Sequence, residues 1–210
     1  MTGAPETWER LARSLRGDLP GRWTLRGPGS HPFLVREPVD WTIAWVGHRR
    51  RGAHGTLSAG VLPLVEPFTG WHLEYGTVMD DVVGGPRTLD LDSPEALGVA
   101  RAFVLGHALE ILGHWSLERI AETAEARFAA RPDDPRGGGW TVLPGCRVVL
   151  ATGSPEEAAR RLAGPDPEDR EYYGGLANAW RAGGREAALR FLRRHRDDVL
   201  RGEQVDRARS

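Results

Sequence analysis

Two apolar runs separated by a polar stretch decide the fold: DWTIAWVG at residues 40–47 and TLSAGVLPL at residues 56–64. In the first run, Trp41, Ile43 and Trp45 recur at every second position, which is the period of a β-strand. The intervening residues 47–55 are polar and rich in glycine, and they predict the tip of a β-hairpin. We expect this hairpin to belong to a largely antiparallel sheet, with the alternating tryptophans in the core.

Residues on either side of this hairpin extend the sheet and begin a helix. Shorter strands are predicted around Trp23 and Phe33, and a third long strand over residues 71–79, so that the sheet has four or five strands. Before them, Trp8, Leu11 and Leu15 recur at the spacing of one helical face. The first half of the chain therefore predicts a leading helix and an antiparallel sheet.

The second half changes to a helical period. Ser93 before Pro94 predicts a helix start, and the helix extends to about His114. Ser116 predicts the N-cap of a further helix over residues 117–130, and the stretch from Ser154 to Glu157 is a capping box that begins another one. Residues 131–139 predict a loop, and residues 140–142 and 146–150 predict one or two additional strands.

The chain ends in two predicted helices, residues 168–181 and 185–200, joined at Gly183-Gly184. Each has an apolar face that an isolated hairpin would leave exposed, so we expect the hairpin to pack on the rest of the chain. The fold class is thus α+β. The predicted organisation is an α+β domain at residues 1–165 with a helical hairpin at residues 166–210, together forming one structural unit.

Composition excludes several functional classes. All 28 basic residues are arginine, and this removes every mechanism that depends on a catalytic or phosphate-binding lysine. The single cysteine, Cys146, excludes an intrachain disulfide and a multi-cysteine zinc site, and we interpret it as a small core residue. The net charge of −1 argues against a nucleic-acid partner.

The sequence also bears on location. The N-terminus has no apolar signal segment, and the sequence contains no uninterrupted run of about 18 apolar residues. We therefore predict a cytoplasmic protein with no membrane association.

Three residues on one predicted helix are candidate metal ligands. His107, Glu110 and His114 lie at i, i+3 and i+7, which places them on the same helical face. Imidazole and carboxylate groups so arranged bind transition metals in helical bundles when a facing helix supplies matching ligands. The sequence has no second such motif, so the alternative is that the three residues form the solvated face of an amphipathic helix.

Two charged clusters are candidate binding surfaces. Arg49, Arg50 and Arg51 in the predicted hairpin tip have the forked donors that bind phosphate or an acidic partner, although three arginines are also common in solvated turns. Residues 66–95 carry seven acids against one arginine. Within them we take Glu74, Asp80 and Asp81 as candidate contacts to a basic partner or a divalent cation. A solvated turn is the alternative.

The order of elements, and the stretch Asp40–Pro67 in particular, resembles bacterial α+β domain families of unknown function, some of which are similar to immunity proteins of toxin systems. The resemblance implies stoichiometric protein binding and carries no catalytic residues. The sequence has no nucleophile elbow, Walker loop, zinc-protease motif or dinucleotide fingerprint, so no cofactor is predicted. We therefore expect a non-catalytic protein-binding module. The alternative is an enzyme or metal-binding protein that uses the His107, Glu110 and His114 face.

Overall fold

The computed structural model describes residues 4–27, 32–51, 54–67, 73–130, 141–161 and 167–202. Five strands form one sheet in the order of the sequence. Their bounds are β1 Arg22–Arg26, β2 Phe33–Glu37, β3 Thr42–Arg51, β4 His54–Pro63 and β5 Gly76–Val78. The pairs β1–β2, β2–β3 and β4–β5 are antiparallel, with Thr24 opposite Val35 and Leu34 opposite Val46. The predicted sheet is confirmed.

Seven helices accompany the sheet in the described part of the chain. They are α1 Ala4–Arg16, α2 Ala96–Phe103, α3 Leu109–His114, α4 Leu117–Ala130, α5 Leu143–Leu150, α6 Pro155–Arg161 and α7 Pro167–Arg201. A π-helical turn at Val104–Ala108 joins α2 to α3 without a break. The leading helix, the sheet and the helical second half together confirm the α+β class.

The predicted caps lie at the predicted helix starts. The Ser116 side chain accepts a hydrogen bond from the Arg119 backbone N–H (3.2 Å), and Ser154 accepts one from the Glu156 N–H (3.1 Å). Ser93 likewise accepts from the Glu95 N–H (3.2 Å), but α2 begins only at Ala96. The hydroxyls satisfy N–H groups that have no partner within the first helical turn.

The chain divides into two compact units, residues 1–62 with 71–115, and residues 63–70 with 116–210. In the first unit, α1 packs against β1 and α2, and its buried residues Trp8, Ala12 and Leu15 belong to the core. In the second unit, α5 packs against α4, α6 and α7, with Cys146 and Leu192 in its core. The chain passes between the two units at the end of β4, at residues 70–71 and just before α4.

The C-terminal hairpin packs on other helices of the second unit. Helix α7 is interrupted at Gly183 and Gly184, and its two arms contact α5 and α6 in the second unit. Gly184 has φ 59° and ψ −151°, a conformation that residues with a side chain rarely adopt. At the glycine pair the 35-residue α7 folds back on itself, so that Tyr172 of the first arm contacts Phe191 and His195 of the second.

Three local predictions are wrong. Residues 146–150 belong to helix α5, so no strand lies within residues 141–150, and Trp140 lies outside the described residues. A run as short as residues 146–150, apolar except for Arg147, carries no period that separates helix from strand. The polar stretch at 47–55 is mostly strand, because β3 continues to Arg51 and β4 begins at His54. The strand predicted over residues 71–79 is only Gly76–Val78 in the described part.

One helix, Ala96–His114, is long and apolar enough to cross a membrane by length and composition. The sequence-based expectation had found no such segment, because Arg101 and Glu110 interrupt the apolar run. Core helices of water-soluble proteins meet the same criterion, so the helix does not decide where the protein resides. A cytoplasmic location stays a prediction.

Candidate functional site

The most exposed apolar side chain in the described residues lies in the segment between β5 and α2. We call residues 80–95 the acidic loop; its five acids and one arginine give a formal charge of −4. Val83 is fully exposed. It lies in a β-turn in which the Gly85 N–H donates to the Val82 carbonyl (3.0 Å), and Gly84 has φ 76°. Val83 is therefore the second residue of a hydrogen-bonded turn near the beginning of the loop.

Two contacts with the beginning of β4 anchor the acidic loop. The Thr56 hydroxyl donates to Asp80 Oδ1 over 2.7 Å. At the other end, Gly55 and Leu89 exchange two backbone hydrogen bonds, of 3.0 and 2.7 Å, and Leu89 is buried. Because successive residues of one strand hold both sides of the loop, Val83 is displayed on a segment with defined ends.

Local hydrogen bonds also order the end of the loop. Asp90 accepts from the Asp92 N–H (3.0 Å) through its carboxylate and from the Ser93 N–H (3.2 Å) through its backbone carbonyl. Such side-chain turns are the usual role of aspartate before a helix. The exposed acids of the loop are Asp81, Asp90, Asp92 and Glu95.

The predicted contact residues are thereby separated into different roles. Asp81 is exposed, whereas Asp80 is half-buried and occupied with Thr56. Glu74 is half-buried and lies before β5, outside the loop. Glu66, which contributed to the acidic segment in the sequence, is buried in the second unit and does not belong to the surface.

The candidate metal ligands lie on one continuous helix but in different surroundings. His107, in the π-helical turn, is half-buried with Nε2 3.2 Å from the Thr77 hydroxyl. Glu110 and His114 are exposed, and the His114 ring packs edge-on against Trp115. Across the described ranges, no three His, Cys, Asp or Glu side chains are arranged to hold a metal ion.

The candidate anion-binding arginines lie at the end of β3. All three are residues of this strand, and Arg49 is exposed. The residues that would close the hairpin, Gly52 and Ala53, lie outside the described residues. Arg49 to Arg51 therefore lie on a paired strand and not in a free loop.

A buried polar network in the second unit was not predicted. The Thr141 hydroxyl donates to Glu66 Oε2, the Tyr173 hydroxyl donates to the Thr141 carbonyl (2.8 Å), and His195 Nε2 donates to the Glu66 carbonyl (2.7 Å). His195 follows Leu192 and precedes Val199 on one helical face, and this spacing was the available signal. The network ties residues 63–67 to α7.

The titratable groups around this network are suited to a structural role. Burial, reinforced by the carboxylates of Glu66, Glu118 and Glu125, raises the pKa of the Cys146 thiol. A thiol in this state is a poor nucleophile, in agreement with its interpretation as a core residue. Burial also raises the pKa of Tyr172 and Tyr173 well above the ordinary value.

The network makes the stability of the protein depend on pH. Burial lowers the pKa of His195, although the Glu66 carbonyl and the Asp198 carboxylate oppose the effect. The folded state therefore binds fewer protons than the unfolded state once pH falls below the ordinary histidine value of about 6.5. We expect the free energy of unfolding to be unaffected by His195 above this pH and to fall below it, by at most about 1.4 kcal/mol per pH unit.

The variant His195→Gln checks this expectation, because its amide nitrogen keeps a donor for Glu66 without a titrating proton. Urea unfolding between pH 5 and 8 should give a shallower pH dependence for the variant than for the wild type. His114→Gln, at an exposed histidine, is the matched control and should retain the wild-type dependence. If the free energy of unfolding depended on pH equally steeply in the wild type and in His195→Gln, His195 would not be a source of the pH dependence.

Comparisons of the chain with protein-family models, with curated proteins and with solved structures find no match.

Proposed function

We propose that this protein is a non-catalytic protein-binding module, immunity-like in its mode of action, and that the acidic loop is its contact surface. The observation that carries the proposal is the full exposure of Val83 on an anchored loop. Single exposed apolar side chains are common in proteins, but Val83 is in addition held in a hydrogen-bonded turn between two fixed points. A side chain presented in this way loses little conformational freedom when a partner covers it.

The charges around Val83 indicate the chemistry of the partner. Asp81 lies two residues before it, and Asp90, Asp92 and Glu95 follow in the same loop, against Arg87 alone. An acidic loop that also presents an apolar side chain favours a basic surface with a small apolar recess, because opposite charges steer association and disfavour other partners. It also disfavours nucleic acid, whose phosphates carry the same sign of charge.

This proposal changes the roles of the residues inferred from the sequence. Asp81 stays a contact residue, and Asp80 becomes an anchor of the loop because its carboxylate accepts from Thr56. Glu74 lies before β5, outside the acidic loop, and is not part of the proposed surface. The alternative function, an enzyme or metal site at His107, Glu110 and His114, gains no support from the surroundings of those side chains.

A photo-crosslinking amino acid at position 83 tests the proposal. Benzoylphenylalanine replaces Val83 in one protein and Leu105 in another, since these are the two large apolar residues exposed in the described ranges. Both proteins are produced in the cells that naturally contain the chain and are irradiated there. We expect a discrete adduct with one protein from position 83 and none from position 105.

Charge reversal gives the internal control for this experiment. Adding Asp81→Lys to the position-83 protein should reduce the adduct by about fivefold or more, because an attractive contact becomes repulsive. The same adducts from both positions, or no adduct from position 83, would overturn the proposal.

A further inference from the structure

We infer that His48 is a positioning residue for the acidic loop and acts on it through Gly55. The inference rests on the proposed function, since the loop matters to binding only if it is the contact surface. Of the two contacts that anchor the loop to β4, the second is the backbone bridge between Gly55 and Leu89. The position of Gly55 therefore decides the position of Leu89 and of the residues that precede it.

The His48 imidazole occupies the space that a side chain at position 55 would need. A Cβ placed on Gly55 would lie 1.7 Å from His48 Nε2 and 2.6 Å from Cε1. The ring therefore lies directly against the backbone of Gly55, which is buried. No residue other than glycine fits at position 55 while His48 holds this position, and the strand cannot move toward the ring.

His48 is itself held by the first helix. Its ring stacks on Trp8 with centroids 5.6 Å apart and an interplanar angle of 29°. Trp8 is buried, and its indole N–H donates to the Pro32 carbonyl over 2.7 Å. A continuous series of contacts thus connects α1 to the acidic loop: Trp8 stacks on His48, His48 lies against Gly55, and Gly55 pairs with Leu89.

Loss of the imidazole would remove the support on one side of Gly55. The strand could then relax toward the vacated space, and the bridge to Leu89 would open more often. Thr56 would still hold Asp80, so Val83 would remain tethered at one end only. A loop anchored at one end must lose more conformational freedom on binding, which weakens the complex.

Amide hydrogen exchange in the full-length protein tests this inference without a partner. The Leu89 N–H reports the bridge directly, because it donates to the Gly55 carbonyl. The Val61 N–H, which donates to the Tyr75 carbonyl between β4 and β5, reports the sheet in the same unit. In His48→Ala we expect Leu89 to exchange at least about tenfold faster while Val61 is unchanged.

Two further variants and their controls complete the test. His48→Gln, whose planar amide extends to the region of Nε2, should restore most of the protection at Leu89. Gly55→Ala should reproduce the effect of His48→Ala, because its Cβ displaces the ring. His114→Ala and Gly98→Ala are the matched controls, since His114 is exposed and an added Cβ at Gly98 meets nothing within 4 Å.

The outcomes separate this inference from the proposed function. Equal acceleration of Leu89 and Val61, or of neither, in His48→Ala would overturn the inference and leave the crosslinking test of the loop untouched. The His48→Ala change is also made in the protein that carries the crosslinker at position 83. If His48→Ala accelerates exchange at Leu89 alone but leaves the yield of the crosslink at the wild-type level, the link between loop anchoring and binding is overturned. We expect faster exchange at Leu89 alone, together with a crosslink yield at least about fivefold lower.

Discussion

Replacing Gly145 with alanine is expected to destabilise the second unit by about 2 kcal/mol, although alanine is the better helix former by about 1 kcal/mol. Gly145 lies in α5, and a Cβ there would be 2.1 Å from the Val65 carbonyl oxygen and 2.9 Å from its carbon. The third obstructing atom is the Val65 Cβ (2.6 Å), which is bonded directly to the backbone, so none of the three can move aside as the end of a flexible side chain would. Overpacking therefore outweighs helix propensity at this position.

Gly174 in α7 is the matched control for Gly145. It is an exposed helical glycine around which an added Cβ meets nothing within 4 Å. Gly174→Ala should therefore stabilise the protein by about 0.5–1 kcal/mol through helix propensity alone. Urea unfolding of both variants measures the difference, and stabilisation of both by similar amounts would show that residues 63–67 do not press against α5.

Replacing Trp8 with alanine should have the larger effect, about 4 kcal/mol lost from the stability of the first unit. Trp8 is 1 % exposed in the core between α1 and the sheet. Its removal creates a cavity, leaves the Pro32 carbonyl without its indole donor and takes away the ring on which His48 stacks. These costs act in the same direction.

Two other substitutions show where the loss originates. Trp8→Phe keeps an aromatic ring and loses the donor, so about half of the loss should remain. Trp41→Ala, at a half-buried tryptophan, should cost clearly less than Trp8→Ala. Urea midpoints provide the comparison. A loss at Trp41 equal to the loss at Trp8 would contradict the assignment of Trp8 to the core.

The sequence predicts helices and strands well where the period of the apolar residues is clear or a capping residue marks the start of a helix. The spacing of Trp8, Leu11 and Leu15 predicted α1, and the alternation around Trp45 predicted β3. Ser116 and Ser154 marked two helix starts through side-chain hydrogen bonds that depend on neighbouring residues alone. Interactions of this local kind can be inferred without a structure.

Other elements depend on partners that are distant in the sequence. Residues 146–150 form the end of helix α5, which packs against α4, α6 and α7, and a run this short, apolar except for Arg147, fits a strand equally well. The polar end of β3 is strand because it pairs within the sheet, not because of its side chains.

The candidate site was predicted in part. Net charge directed attention to Asp81, but only the geometry shows that Asp80 is engaged with Thr56 and that Val83 is exposed between two anchors. The closeness of His48 to Gly55 has no signature in residue types. It arises from the pairing of β3 with β4 and from the position of α1.

The affinity of the protein for the partner captured at position 83 tests the central claim most directly. In one variant Asp81, Asp92 and Glu95 are changed to lysine; in the control the exposed acids Glu122, Glu171 and Glu186, which lie in the second unit, are changed in the same way. The two variants have the same net charge. At about 50 mM salt we predict about a 100-fold loss of affinity for the loop variant, shrinking at high salt, and a small loss for the control. Equal losses in both variants, or unchanged binding by the loop variant, would contradict the assignment of the acidic loop as the contact surface.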